Sequence, residues 1–406
     1  MAAEATPFAH GSVADVYEFT NPIDLPQIER SRLLEHGADG IILESKGSTR
    51  EFTRYGATFV DDPDEVGLFP GQIGVAKYLY PPAYTAVVSD AVLVGYRTIL
   101  TPNRRFFTDE AYADPSVFQI QLQRISKADA FANEATGLRR TDVERFFQFD
   151  PGQRPSRLVE GNVIVLCSDE PYSYGSFLFR VVPKVRAMRD LGLIGMPCIA
   201  YAIQKPFMDL LNFCGIPKET IQLHDVEAVT RIDRAIVPCL RDPHAYLDPE
   251  SCEVYAELRA RYGTPQCGRK LYISRFGLNR AGWSTRIMAN EAELIARLQS
   301  MGFDIIEPQH LPVSEQIKLF SSASLIVGPS GSGLFNTMFC HPGTKVIDIQ
   351  SEPQWIYSYT GMYASLQLNY GIFIGKADPG DTKEVHRRWT VNIDALIDRV
   401  QSFIAE

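Results

Sequence analysis

The sequence is poor in the residues that staple or metallate a fold. Its seven cysteines, at 167, 198, 214, 239, 252, 267 and 340, are odd in number, widely spaced and never C-x-x-C. That excludes a disulfide framework and a zinc site of ordinary spacing, and leaves reduced, mostly buried thiols. Seven histidines are present and none pair as H-x-x-x-H, so no transition-metal motif is visible and no metal is expected. No apolar run approaches the roughly 18 residues of a membrane span. The N-terminal MAAEATPFAHGSVADVYEF has neither the basic start nor the apolar centre of a secretion signal, so a cytoplasmic location is expected. Positive charge is also scarce: 40 Lys plus Arg against 49 Asp plus Glu give −9. This argues against a nucleic-acid platform, while leaving room for a local basic pocket. There is no internal repeat, heptad run or low-complexity tract.

What remains is an ordinary globular composition, 45% hydrophobic and 22% charged over 406 residues, enough for two to three domains with their own cores. Residues 1–83 mix polar stretches with short apolar pieces and recurrent Pro and Gly, as in DDPDEVGLFPGQ. They read as an irregular N-terminal extension with one helix around IERSRLLEHG. The run TAVVSDAVLVGYRTIL with TPNRRFF has the β-branched content and turns of a few antiparallel strands. A charged helical stretch is expected over 114–148. GNVIVLCSDE then reads as a buried strand ending in acids, and SFLFRVVPKVRAMRDLGL as a helix despite Pro183. PCIAYAI, FMDLLNFCGI and ETIQLH continue as strand, helix and strand. An N-terminal α/β domain over 84–250 follows, with a connecting stretch near 245–268.

From 270 to 349 the alternation is regular. KLYISR, FDIIEP, SLIVGP and KVIDIQ read as strands; NEAELIARLQSMG, VSEQIKLFSSA and GLFNTMFC read as helices. Connections of two to five residues are the pattern of a doubly wound α/β domain, here placed at 265–385. The last residues, 391–405, carry apolar side chains at 393, 396, 397, 400, 403 and 404, the rhythm of a closing helix.

The sharpest local signal is Gly328-Pro329-Ser330-Gly331-Ser332-Gly333, between a strand ending at Val327 and a helix. Glycines permit close backbone approach, and the N–H groups of a helix start with the Ser330 and Ser332 hydroxyls can cradle a diphosphate. A helix end supplies only about 0.3–1 kcal/mol toward an anion, so basic side chains are also required. Arg275, ending the first strand of this domain, and Arg286 are the candidates. Walker A is absent because no Gly-Lys-Ser or Gly-Lys-Thr follows. The glycine order also departs from G-x-G-x-x-G, so the NAD and ATP-hydrolysis readings both lose their main support.

Leu271-Tyr272-Ile273-Ser274-Arg275, Arg286, Asn290-Glu291, Gly302-Phe303, Glu307-Pro308, Glu315-Gln316, Phe320 and the 328–334 loop with Asn336 and Phe339 together resemble glycosyltransferase family 61. The likeness covers 270–350 well and 84–240 more loosely. It implies a GT-B fold: two Rossmann-like doubly wound domains facing across a cleft, nucleotide sugar on the C-terminal one and the last helix packing back on the N-terminal one. It further implies an inverting, metal-independent hexosyl- or pentosyltransferase of the bacterial capsular-polysaccharide type. Such an enzyme needs no cofactor beyond its nucleotide-sugar co-substrate, UDP-linked by analogy, and acts on a glycan or glycolipid acceptor.

On that reading Arg275, Arg286, Ser330, Gly331, Ser332, Gly333 and Leu334 hold the donor, with Asn290, Glu291, Gln316 and Asn336 as further donor-side candidates. Each of these four has a structural alternative: capping, orienting an arginine, or buried polar packing. Asp169 and Glu170, at the end of the first N-domain strand, are the candidates for taking the acceptor proton. Tyr172, Tyr174 and Ser176 are the acceptor-side candidates. The family often has G-x-H-G-A-G-L and Tyr-x-His with an acid four residues on. Here Ser330, Ser332, Ser176 and Arg180 stand at those places, so its acid–base roles cannot be copied across. The rival is a catalytically inactive transferase-like protein that binds a nucleotide sugar or glycan; a third reading is a two-domain nucleotide-sugar epimerase. FRVVPKVRAMRDLG has the apolar–basic interleaving of a helix peripheral to the inner membrane, although a core helix with a solvated basic edge is the stronger expectation.

Overall fold

The computed structural model describes residues 15–44, 50–61, 74–112, 115–126, 136–241, 246–280, 282, 286–351, 359–383 and 387–405. The chain is a mixed α/β protein that divides into two compact units, Met1–Phe52 with Leu79–Pro243, and Thr53–Tyr78 with His244–Glu406. No helix among the described residues is long and apolar enough to cross a membrane.

In the first unit, Ile221–Leu223, Cys198–Ala200, Ser156–Leu166 and Val229–Pro238 lie side by side in parallel. Val229–Pro238 then pairs antiparallel with Tyr84–Val94, which turns back through Thr98–Leu100 and Arg105–Phe107 as an antiparallel meander. Only the parallel portion has the crossover helices of a doubly wound sheet. The strand, helix and strand expected from PCIAYAI, FMDLLNFCGI and ETIQLH are Cys198–Ala200, Lys205–Phe213 and Ile221–Leu223. The core is the apolar residues of Tyr84–Val94, Ser156–Leu166 and Val229–Pro238, among them Val88, Val163, Val165, Ile232 and Val237.

Three expectations change here. The first 83 residues are not an irregular extension, because Asp15–Phe19 and Gly40–Leu43 join this sheet. Their intervening turns are held by the buried Arg234 guanidinium. It donates to the carbonyls of Leu33 at 3.0 Å, Ala38 at 3.1 Å and Arg32 at 3.3 Å, and so satisfies backbone that no ladder reaches. Around IERSRLLEHG there is only a 3-10 turn, Arg30–Arg32. The 114–148 stretch holds one helix, Pro115–Ser126, and then strands Leu138–Arg140 and Phe146–Phe149; residues 127–135 lie outside the described residues. Phe147 and Phe149 alternate with the exposed Phe146 and Gln148 and fill a second apolar cluster with Phe19 and Phe106, a period-2 pattern that Phe146 and the charges around it mask.

The main sheet of the second unit is wholly parallel: Asp304–Ile306, Arg269–Ile273, Ala323–Pro329, Lys345–Gln350, Asn369–Ile374 and Phe59–Val60. In chain order from residue 269 its strands run 2-1-3-4-5, the doubly wound order whose switch point lies between strands 1 and 3. Phe59–Val60 belongs here because Thr53–Tyr78 departs from the first unit to add an edge strand. Thr58 N–H donates to the Tyr370 carbonyl at 2.7 Å, and Gly371 lacks the Cβ that Phe59 would strike. The Pro- and Gly-rich residues 62–72 lie outside the described residues.

The expected connection at 245–268 is largely the helix Pro249–Tyr262, capped by Asp248 and packed within this unit. The closing helix, Ile393–Ala405, is likewise buried within its own unit. Ile393, Leu396, Ile397, Val400 and Phe403 are buried with Tyr272, Leu294 and Ile347. Full burial contributes about 1.5–3 kcal/mol per side chain, which fixes its face. Five of the seven cysteines are buried and none is in a disulfide.

Candidate functional site

Arg269–Ile273 and Ala323–Pro329 are neighbours in parallel register, Leu271 against Ile326 and Tyr272 against Val327, so the residues that follow them emerge at one carboxyl edge. Arg275 follows the first and the glycine-serine loop the second. The Arg275 guanidinium donates through Nη1 to the Ser330 carbonyl at 3.0 Å. Gly331, at φ +157°, sits so close that a Cβ would lie 2.8 Å from that nitrogen. A Cβ at Gly328 or Gly333 would meet Ile273 at 2.9 Å. Each of the three glycines therefore brings the loop down onto the Arg275 strand.

The loop opens an eight-residue 3-10 helix, Ser332–Phe339, whose first N–H groups have no intrahelical acceptor. Ser330 and Gly331 are buried, Gly333 is half-buried and Ser332 is exposed, so the bend is floored but open on the Ser332 side. Burial first, and then the neighbouring Arg286 charge, hold the Arg275 guanidinium below its ordinary value. Two like charges brought together beside backbone N–H groups form a place for an anion.

Glu291 supports this edge from behind. Its Oε1, nearly fully buried, accepts from the Arg275 backbone N–H at 2.7 Å, Ser274 Oγ at 3.1 Å and Tyr272 OH at 3.3 Å. It fixes the backbone that launches Arg275. Burial raises the Glu291 carboxyl, and those bonds work against the rise. Asn290 faces elsewhere: its Nδ2 donates to the Val391 carbonyl at 2.8 Å and its Oδ1 accepts from Val391 N–H at 3.2 Å, tying down the entry to the closing helix. Buried Gln316 donates to the Leu311 carbonyl and buried Asn336 to the Gly333 carbonyl, both short-range ties. Leu334 is in the core.

Asp348, Tyr359 and Tyr363 also belong to this site and were not among the sequence candidates. Asp348 lies on Lys345–Gln350 opposite Gly328 and is fully buried. Its Oδ2 accepts from Tyr363 OH at 3.0 Å. Burial pushes the carboxyl up to about 7, against the pull of Tyr363, weaker contacts from Ser330 and Gln350, and the Arg286 charge. Burial also raises Tyr359, whose hydroxyl contacts both Ser330 and Arg286. A sequence signal existed for Asp348: an acid inside the apolar strand KVIDIQ, which a parallel sheet covers on both faces. No sequence signal marks Tyr359.

In the first unit, Ser156–Leu166 leads into Asp169 and Glu170. Arg180 Nη1 donates to Asp169 Oδ1 at 2.5 Å, and Arg97 Nη2 lies 3.7 Å from Oδ2. Arg97 also pairs with Asp109 at 2.9 Å, and Asp109 with the fully buried Lys184 at 2.6 Å. Burial acts to raise the Asp109 carboxyl, but Lys184 and Arg97 outweigh it and hold it below the usual range. Glu170 is exposed and accepts from Ser176 Oγ. Among the described residues its Oε1 has no partner.

The acceptor candidates separate. Tyr172 is 53% exposed, edge-on to Tyr201 at 4.9 Å and to Tyr96 at 5.9 Å. Tyr174 instead turns onto Phe207, and Ser176 is buried. The helical segment that carries these residues is not uniform: Tyr174–Ser176 is α, Phe177–Val181 is a π turn, Val182–Lys184 is 3-10 and Val185–Asp190 is α again. Pro183 has no N–H and would crowd a regular preceding turn, which the wide turn relieves.

Residues 174–347 match a family model described as Glycosyltransferase 61. No curated protein matches the chain. The matched span begins at Tyr174 and takes in Arg275, Arg286, Glu291 and the 328–334 loop.

Proposed function

We propose, from the match of residues 174–347 to the glycosyltransferase family 61 model, that this chain transfers a sugar from a nucleotide-sugar donor to an acceptor hydroxyl with inversion at the anomeric carbon. The observation that carries the reading is the Arg275–Ser330 contact at the switch point of the second unit, with Arg286 close enough to act on Arg275. A GT-B arrangement, a UDP-linked donor, a glycan or glycolipid acceptor and independence from metal belong to the same proposal.

Inverting transfer is a single displacement. The acceptor oxygen attacks the anomeric carbon, the bond from that carbon to the diphosphate oxygen breaks, and the acceptor proton passes to a base. Arg275, Arg286 and the first N–H groups of Ser332–Phe339 receive the negative charge that accumulates on the departing diphosphate. Charge-assisted hydrogen bonds of this kind are worth about 1.5–3 kcal/mol each.

For the base, Glu170 has the better claim than Asp169. Asp169 is engaged by Arg180 and Arg97, whereas Glu170 keeps an oxygen unengaged and is oriented by the Ser176 hydroxyl. Ser176 thus acts through Glu170 and carries no proton itself. Exposed Tyr172, braced by Tyr96 and Tyr201, offers a face for an acceptor sugar.

The test is release of free nucleoside diphosphate when the protein is incubated with a panel of nucleotide sugars, with and without glycan acceptors. Acceptor-dependent release supports transfer. Binding of a donor without release under any acceptor would leave a binding protein, and conversion of donor alone would indicate an epimerase.

A further inference from the structure

The buried acid beneath the glycine-serine loop has no part in the displacement just described, yet it is built into the loop's floor. Ser330 N–H donates to the Ile349 carbonyl at 2.8 Å, which sets Ser330 over the strand that carries Asp348. Asp348 Oδ2 is taken by Tyr363, while Oδ1 is buried without a well-formed hydrogen bond, as are both polar atoms of Gln350 two residues on. An ionised carboxylate with one oxygen so placed would be costly, and a neutral acid would still carry a proton in need of an acceptor. The Ser330 hydroxyl is the acceptor at hand.

Resting on the donor reading above, we propose that Asp348 is a positioning residue for the diphosphate. Neutral Asp348 donates its proton to Ser330 Oγ and frees the Ser330 O–H to donate to a bound phosphate, so that donor binding requires Asp348 to hold one proton. When Asp348 is ionised, Ser330 O–H is drawn down to it, the Ser330 lone pairs face the ligand, and a negative charge lies under a negatively charged group. Both changes oppose binding.

Every neighbouring group bears on this balance. Tyr363 reaches Asp348 from the helix Thr360–Ser365, and Tyr359 from the residue before that helix. Arg286 acts from the segment after Phe276–Arg280, and favours the ionised form. On the far side, the residue opposite Asp348 in the sheet is Ile372, which is apolar. Burial outweighs the cation and places the acid's titration at about 7, within reach of ordinary pH.

Calorimetric titrations with UDP-N-acetylglucosamine, UDP-xylose and GDP-mannose test this, because their pyrophosphates do not titrate between pH 6 and pH 8. For whichever binds, the Kd of the wild type is expected to rise about tenfold from pH 6 to pH 8, with net proton uptake in buffers of different ionisation enthalpy. Asp348→Asn should bind at the wild type's pH 6 level across the range, with no proton uptake. Ser330→Ala, which leaves the acid in place, should bind more weakly at pH 6 and show a smaller pH dependence. Equal pH dependence in wild type and Asp348→Asn, or proton-neutral binding by the wild type, would overturn the proposal and leave the donor reading standing. Absence of binding by all three sugars at every pH would overturn both.

Discussion

Arg275 Nη1 donates to the carbonyl of Ser330 at 3.0 Å, and through this bond the ends of two adjacent parallel strands become one surface. A solvated arginine keeps its rotamer freedom, whereas ordering this one costs side-chain entropy that its contacts must offset. Here the guanidinium is anchored at one nitrogen, with Arg286 close enough to act on it, before any ligand arrives. Preorganised positive charge of this kind costs no reorganisation when a diphosphate departs.

Arg275→Ala should lower nucleotide-sugar affinity by roughly one to two powers of ten, the equivalent of one charge-assisted bond of about 1.5–3 kcal/mol. Arg275→Lys should recover only part of this, because an ammonium cannot hold the Ser330 carbonyl and a phosphate in the same fork. Equilibrium titration with the donor checks both. Undiminished affinity in Arg275→Ala would remove the arginine from the donor site.

A methyl group at Gly331 would stand 2.8 Å from the Arg275 guanidinium at a φ of +157°, where side chains are strained. Gly331→Ala should therefore displace either the loop or the arginine and weaken donor binding, while circular dichroism stays that of the wild type. A variant that binds normally would mean that the close approach is not needed.

Glu170→Gln should reduce kcat by a factor of about 10²–10⁴ with little change in donor affinity, as removal of a general base does. Asp169→Asn should act mainly on stability, since it weakens the Arg180 and Arg97 pairs. Steady-state kinetics beside thermal unfolding separate the two. The reverse pattern would transfer the role of base to Asp169.

Asp348 also predicts how stability depends on pH. Its folded value of about 7 stands above the roughly 3.9 of an unfolded aspartate. Between those values the native state holds a proton that the unfolded chain has released, so stability falls as pH rises from about 4 to about 7 and levels off beyond. Asp348→Asn removes this component. Relative to the wild type it should gain on the order of 4 kcal/mol between pH 4 and pH 8, read from urea unfolding at the two pH values. A difference that does not change with pH would contradict the shift.

The second unit was legible where each element reports its own burial. KLYISR, SLIVGP and KVIDIQ are strands covered on both faces, and their apolar runs say so without reference to the rest of the chain. The loop between Val327 and Leu334 was legible because glycine at close spacing has few other uses. What stayed hidden depends on long-range pairing. Phe59–Val60 is too short to declare itself, and becomes a strand only because Asn369–Ile374 offers it an edge. The closing helix shows an apolar stripe, but a stripe does not say which surface it covers.

Within the site, Arg275, Ser330 and Gly331 were visible from spacing. Asp348 sat in plain view as an acid in an apolar strand, and its meaning depends on Tyr363 and Ser330, which only the fold brings to it. Asn290 illustrates the converse: a polar residue next to Glu291, it spends both ends of its amide on Val391.

The most direct measurement is a crystal structure of the protein with a bound nucleotide sugar. The pyrophosphate is expected within hydrogen-bonding distance of Arg275, Arg286 and the backbone N–H groups of Ser332 and Gly333. Pyrophosphate density elsewhere, with Arg275 and the loop unvisited, would contradict it.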